Sequence, residues 1–204
     1  YCLALVRAYR DGLLAEVYPI ARGSSPMLVT LGAFVFAHER LGLAELAGVA
    51  LVSIGILGVA IGRGAPRLAS LFAALTTGLL ISCYTVTDGL GGRASGAAVS
   101  YACWLFLIQG AAMPFVYLAV RRRWPTLGLD AETLKSAIGG TLSLLAYGVV
   151  IWALSFAPMG QVSALRETGI LFAMVIGVLF LKERPSSPQL FAAAVIAAGA
   201  ALLA

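Results

Sequence analysis

The amino-acid sequence predicts an all-α protein: a polytopic transmembrane helical bundle made of two inverted five-helix repeats. Three observations carry that expectation. Of 204 residues, 61% are hydrophobic and 11% charged, with a mean hydropathy of +0.97. Soluble domains run at about 45–50% apolar and about 25% charged, so this chain cannot clothe a globule in polar surface. Apolar runs of roughly 20 residues, the length that crosses a hydrocarbon core, recur from one end to the other. The chain also matches itself when shifted by 144 residues.

The runs fall at about 14–37, 44–62, 68–87, 98–120, 136–156, 158–181 and 188–204. The first follows a connection from Tyr9 to Gly12 and carries Pro19, Gly23 and Pro26 in its first half. His38 to Leu43 leads into the second, which is rich in small residues. Gly62 to Arg67 and Asp88 to Ser95 read as the connections on either side of the third. Arg121 to Lys135, with three consecutive Arg, separates the fourth from the fifth. Phe156 to Pro158 and Lys182 to Ser187 bracket the sixth, and the last run is again dominated by small residues. Ahead of these, Tyr1 to Val6 is apolar and ends in Arg7 and Arg10, which reads as the last turns of an eighth helix.

The same arithmetic excludes a disordered chain, a secreted disulfide scaffold and a nucleic-acid module. The net charge of +5 comes from 14 Lys and Arg, dispersed in an apolar chain instead of clustered on a water-soluble face. Such a balance fits loops lying against anionic lipid heads. Cys2, Cys83 and Cys103 are far apart and in or beside apolar runs, so they read as small buried hydrophobes, with no metal site.

The 144-residue shift lays Arg22 on Arg166, Phe36 on Phe180, Glu39-Arg40 on Glu183-Arg184, Leu46 on Leu190 and Gly55 on Gly199. Each copy has a helix with one Arg about ten residues in, a Glu-Arg turn and a helix of small residues. Residues 1–62 then form the C-terminal part of a first repeat and 63–204 a second. A full first copy would begin roughly 75–80 residues ahead of Tyr1, making ten spans in two units of five, about seven complete in this chain. An odd number of spans per unit inverts one copy relative to the other.

The stretches Tyr18-Pro19-Ile20-Ala21-Arg22-Gly23-Ser24-Ser25-Pro26 through His38-Glu39-Arg40, and Ala157-Pro158 through Leu181-Lys182-Glu183-Arg184, resemble the fourth helix of each half of the EamA-type transporters of the drug/metabolite transporter superfamily. Each is followed by a Gly- and Ala-rich helix like that family's fifth. The resemblance covers the whole chain and implies a secondary carrier. Tyr18 to Pro26, with Ala164-Leu165-Arg166-Glu167-Thr168, is also similar to a branch associated with phosphonate utilisation. Ten basic residues fall on one side of the membrane, Arg40 and Arg93 on the other, and Arg22 and Arg166 inside spans. The positive-inside rule makes the ten-residue side cytoplasmic and puts Ala204 outside. The resemblance implies a cytoplasmic C-terminus, so the orientation stays open.

Arg22 and Arg166 are the strongest candidate site residues. An Arg in a span costs at least about 2.5–3.5 kcal/mol and tends to face a cavity or a partner. As a pair they would attract an anionic group, the guanidinium fork matching carboxylate or phosphonate. The alternative is an Arg that pairs with a nearby acid and locks the bundle, or, for Arg22, one that snorkels. Glu16 and Glu167 are the acids expected inside spans, each either coupling protons or buried against a partner. Glu167 and Arg166, as neighbours in sequence, are expected on different sides of their helix.

Pro19, Gly23 and Pro26, and their counterparts Pro158, Gly160 and Gly169, mark either helix breaks that line a polar cavity or simple kinks. Tyr84, Trp104, Gln109, Tyr117, Tyr147, Trp152 and Gln161 supply aromatic faces and amides; of these Tyr84, Tyr147, Trp152 and Gln161 join Arg22, Arg166 and Glu167 as substrate-binding candidates, packing and interface anchoring being the alternative. Ala193, Ala194, Ala197, Ala198, Gly58 and Gly62 have small-xxx-small spacing and are assigned to packing within the bundle, a homodimer face being the other option. Glu39-Arg40 and Glu183-Arg184 read as interfacial turns or structural clasps.

The sequence thus describes a multi-pass protein of a bacterial inner membrane that moves a small organic metabolite, anionic or amino-acid-like. Its partners are that solute and the bilayer, with no cofactor, no catalytic residues and no nucleic acid. A scaffold subunit without transport and a membrane-embedded enzyme are the rival classes; against the enzyme stands a single His, His38, in a turn.

Overall fold

The computed structural model describes residues 14–61, 68–122, 124, 130–180, 182 and 185–204. Among them the chain is helical throughout. In order the helices are α1 (Leu14–Ala37), α2 (Leu43–Ile61), α3 (Leu68–Ala94), α4 (Ala98–Arg121), α5 (Ala131–Leu154), α6 (Met159–Glu167), α7 (Gly169–Phe180) and α8 (Ser187–Leu203). Every apolar run is helical, the sixth divided into α6 and α7. Tyr18–Ala37, Ser70–Ala94, Ala98–Arg121, Ala131–Leu154 and Met159–Phe180 are long and apolar enough to cross a membrane, and Leu43–Gly58 and Ser187–Leu203 are shorter apolar helices. A helix is the natural element here, since it satisfies its own backbone where no water can.

Local chemistry sets the ends. His38 takes a left-handed φ of 55° and the Glu39 N–H turns back to the Ala33 carbonyl at 3.2 Å, closing α1. Glu45 accepts from the Gly42 N–H at 2.7 Å, placing a carboxylate at the positive end of α2. Asp130 precedes α5 in extended conformation and accepts from Thr133 Oγ1. At α8 the Ser186 N–H donates to Gln189 Oε1 at 2.8 Å, half of a capping box.

Three expectations are corrected. The segment Asp88 to Ser95 is no connection: α3 runs on to Ala94, through the Gly91-Gly92 pair that resembles a turn. Gly91 stays helical because the Tyr101 ring occupies the space where a Cβ would stand, 2.5 Å from its Cε2. Second, α5 begins at Ala131, so Lys135 is in its first turns and pairs with Glu132 at 3.3 Å. Third, α1 is continuous through Pro19 and Pro26; only the second copy breaks. The helix end at Tyr1 to Val6, the side chain of Glu16, Gly62 and Glu183-Arg184 lie outside the described residues.

The chain divides into two compact units, Tyr1–Thr87 with Ala157–Ala204, and Asp88–Phe156. In the first, α2 and α8 form the core with Val49, Val52, Ile56, Ala164, Ile196 and Leu203 buried together. Their backbones touch. A Cβ on Gly48 would stand 2.9 Å from the Gly199 carbonyl oxygen, one on Gly199 would stand 2.8 Å from that of Gly48 and 2.9 Å from Val52 N, and one on Gly55 would meet Ile196 at 2.7 Å and the Ala192 carbonyl at 3.2 Å. Ascending α2 meets descending α8, so the helices are antiparallel.

The 144-residue shift equates Gly48 with Ala192, Val52 with Ile196 and Gly55 with Gly199. Gly48 against Gly199 is therefore matched by Gly55 against Ala192, and Val52 against Gly199 by Ile196 against Gly55. Reciprocal pairs of this kind are what a two-fold axis generates. The face used differs from the expected one: Ala194, Ala197 and Ala198 are exposed, and a Cβ on Gly58 would meet nothing within 4 Å.

In the second unit, the end of α3 is followed by α4 and α5, whose outer faces expose Trp104, Leu107, Ile108, Phe115, Leu142 and Leu145. Apolar exposure of this extent is what lipid contact requires.

Replacing Gly199 by Val should lower stability by about 1–3 kcal/mol, the usual cost of overpacking, because the obstructing atoms are backbone. Gly110→Ala on α4, where a Cβ meets nothing within 4 Å, should be neutral or slightly stabilising. Thermal unfolding of the detergent-solubilised protein checks this; equal midpoints for the two variants would remove the seam from the account.

Candidate functional site

In the first unit α1 and α6, the two Arg-bearing helices, lie against each other. Gly160 permits the approach, since a Cβ there would collide with the Thr30 side chain and stand 3.2 Å from Leu41. Glu39 then ties down the start of α6: its Oε2 accepts from the Met159 N–H at 2.9 Å. A carboxylate at a helix N-terminus satisfies an orphan donor and the helix dipole together. Gln161 is held as well, donating to the Leu203 carbonyl at the end of α8.

These ties carry the far end of α6 to Arg22. The Arg22 guanidinium donates from Nη1 to Glu167 Oε1 at 2.9 Å and from Nε to the Tyr18 hydroxyl at 3.3 Å, and lies 5.5 Å from the centre of the Tyr18 ring. Glu167 is 2% exposed and Arg22 31%. Arg166, 15% exposed, brings Nε within 3.5 Å of the same Glu167 oxygen. That is an electrostatic contact without a hydrogen bond: Arg166 Nε and Nη2 are buried and have no hydrogen-bond partner in the protein. Neighbours in sequence were expected to point apart, but a long guanidinium arm reaches back across that angle.

Among the described residues, two guanidinium groups thus approach one carboxylate. Arg22 donates to Glu167 and Tyr18, while Arg166 has donors to spare. Ser163, three residues earlier and so on the same face, is buried with its hydroxyl likewise unbonded, as is Ser25 on α1. Buried donors without acceptors cost about 1–3 kcal/mol each, more when charged. Acceptors are what these donors lack.

The backbone gives way beside both Arg residues, in different ways. In the second copy α6 stops at Glu167, where Thr168 N and Oγ1 both turn to the Leu165 carbonyl, at 3.1 and 2.7 Å, before α7 resumes at Gly169. In the first, Pro26 has no N–H for the Arg22 carbonyl, yet α1 runs on through it, with Leu57 of α2 close against Gly23.

The remaining candidates are dispersed. Tyr84 is half-buried on α3. In the second unit, Trp152 is 53% exposed and stacks edge-on with Phe156, ring centres 4.8 Å apart. Tyr147 donates to Asp88 Oδ2 at 2.6 Å, an acid that the sequence assigned to a connection. A cavity of about 530 Å³ lies between the end of α1 and the start of α2, lined by Met27, Thr30, Leu31, Phe34, Glu39 and Leu46 among others. It does not include Arg22, Arg166 or Glu167. Its apolar walls suit a hydrocarbon chain better than a charged solute.

The model of the EamA-like transporter family matches residues 68–204. Comparison with curated proteins returns no match. With five helices of membrane length, the match identifies a multi-pass integral membrane protein.

Glu167→Gln takes the shared carboxylate away from a part-exposed and a largely buried guanidinium group. Breaking a fully buried pair costs about 3–5 kcal/mol, and the partial exposure of Arg22 brings the expected loss to about 2–3 kcal/mol. Adding Arg22→Gln should restore part of it, giving a non-additive cycle. Additive losses in thermal unfolding would mean that the pair is not coupled.

Proposed function

The chain belongs to the EamA-like transporter family, and from that premise we propose that it is a secondary carrier for a small organic anion, or an amino-acid-like solute presenting a carboxylate, in a bacterial inner membrane. One observation carries the substrate class: Arg166 is largely buried, shares its one counter-charge among the described residues with Arg22, and has Nε and Nη2 unbonded. A carboxylate or phosphonate offers two oxygens at the spacing of a guanidinium edge, so it fits these donors bidentately. Ser163, three residues before Arg166, adds a neutral donor. The anion would accept from these donors and remove the cost of leaving them unbonded.

The helical bundle is the reason for assigning an inner membrane, since outer-membrane proteins span as barrels. The break between α6 and α7 beside Arg166 supports movement. A helix interrupted at its binding residues can pivot there without losing the hydrogen bonds of either half, as discontinuous helices of carriers do. In this reading the protein makes and breaks no covalent bond.

The test is ligand-induced thermal stabilisation of the purified protein over amino acids, carboxylates, phosphonates and organic cations. A ligand at 100 times its Kd adds about 2.7 kcal/mol. Anionic members should raise the midpoint of the wild type, and Arg166→Gln should abolish the rise while leaving the unliganded midpoint unchanged or higher, because it deletes buried donors that have no acceptor. Stabilisation by cations alone would overturn the proposal.

A further inference from the structure

Asp88 lies in the part of α3 that the sequence assigned to a connection, and it is 5% exposed. Its two oxygens take separate donors within the second unit. Oδ1 accepts from the Tyr101 hydroxyl of α4 at 3.2 Å, and Oδ2 from the Tyr147 hydroxyl of α5 at 2.6 Å. Gly91, one turn on, makes room for the Tyr101 ring, and Phe106 packs at 6.3 Å from the Tyr147 ring. Ile151 and Leu154 are fully buried in the same unit. The nearest cation along α3, Arg93, donates its Nε to the Leu154 carbonyl at 2.9 Å, at the end of α5. Among the described residues no Lys or Arg pairs with Asp88. The groups that face it are two neutral phenols, with Tyr84 one turn back and Arg93 five residues on along its own helix.

An ionised carboxylate inside a span is expensive without a cation, and two neutral donors offset only part of that cost. The protonated form is served by the same partners. A carboxylic acid donates one hydrogen bond, and a tyrosine hydroxyl turns from donor to acceptor by rotating its O–H. One proton can therefore join or leave Asp88, forming or breaking a single O–H bond, while both carboxyl oxygens keep a hydrogen-bond partner. A metal cation is a poorer fit: hard cations take six or more oxygens, and no group of three His, Cys, Asp or Glu side chains occurs among the described residues. Glu167, one of the two acids that the sequence offers for this task, is paired with Arg22.

We propose that Asp88, Tyr101 and Tyr147 form a proton-binding site, and that its protonation drives solute movement. The second half of this statement rests on the carrier reading above; the first does not.

Infrared titration of the full chain in liposomes reads the carbonyl stretch of a protonated carboxylic acid and needs no solute. A band that grows as pH falls and fades as pH rises should be present in the wild type and lost in Asp88→Asn. Tyr147→Phe, which keeps the acid but deletes a donor to its charged form, should move the midpoint upward. Identical wild-type and Asp88→Asn titrations overturn the site, and an unmoved midpoint in Tyr147→Phe overturns it even if Asp88→Asn fails to fold. For a carboxylate or phosphonate that stabilises the wild type, an imposed pH gradient should drive accumulation by the wild type, while Asp88→Asn should retain exchange but lose accumulation. Equal gradient-driven accumulation by both overturns the coupling. Failure of anion binding in the thermal panel leaves the infrared result standing, so the two proposals fall separately.

Discussion

The close approach of α2 and α8 is the contact on which the rest of the first unit depends. In a bilayer two apolar helices gain little from meeting, because the surrounding lipid is as apolar as they are; association has to come from tight packing. Gly48, Gly55 and Gly199 supply it by letting backbone touch backbone. Around that seam α1 packs on α2, and Ala164 of α6 joins the buried cluster of Val49, Val52, Ile56, Ile196 and Leu203. The Arg-bearing helices are thereby brought together without needing an attraction of their own.

What they bring together is unbalanced. In the first copy the residue after Arg22 is Gly23, and in the second the residue after Arg166 is Glu167. A symmetric pair of copies would give each Arg a carboxylate across the interface. Here the single carboxylate sits 2.9 Å from Arg22 and 3.5 Å from Arg166. The asymmetry is small in sequence, and it leaves Arg166 Nε and Nη2 buried without a hydrogen-bond partner while Arg22 holds the carboxylate.

The seven helical runs were legible because hydropathy alone specifies them once the chain is known to lie in lipid. Arg22 and Arg166 were legible because each interrupts an apolar run and the shift superposes them. Their partner was not: spacing rules describe directions at Cβ and say nothing of where a long guanidinium arm ends or which helix lies opposite. Asp88 was hidden by Gly91-Gly92, a turn signal in most chains, which here makes room for Tyr101. The packing face of α8 was hidden by surplus, since with Ala at 192, 193, 194, 197 and 198 every face of the helix reads as small. Pro19 and Pro26 left a break and a simple kink open to local pattern, and the helix runs through both residues.

The central claim is that Arg166 keeps donors in reserve for an anion. Crystals of the purified protein grown with an alkylarsonate, a heavy-atom counterpart of carboxylate and phosphonate, test it directly through anomalous scattering. The account predicts an arsenic peak within hydrogen-bond reach of Arg166 Nε and Nη2, with the Arg22 to Glu167 pair intact beside it. Arg166 bonded through both nitrogens to protein oxygens, with no peak nearby, would contradict it.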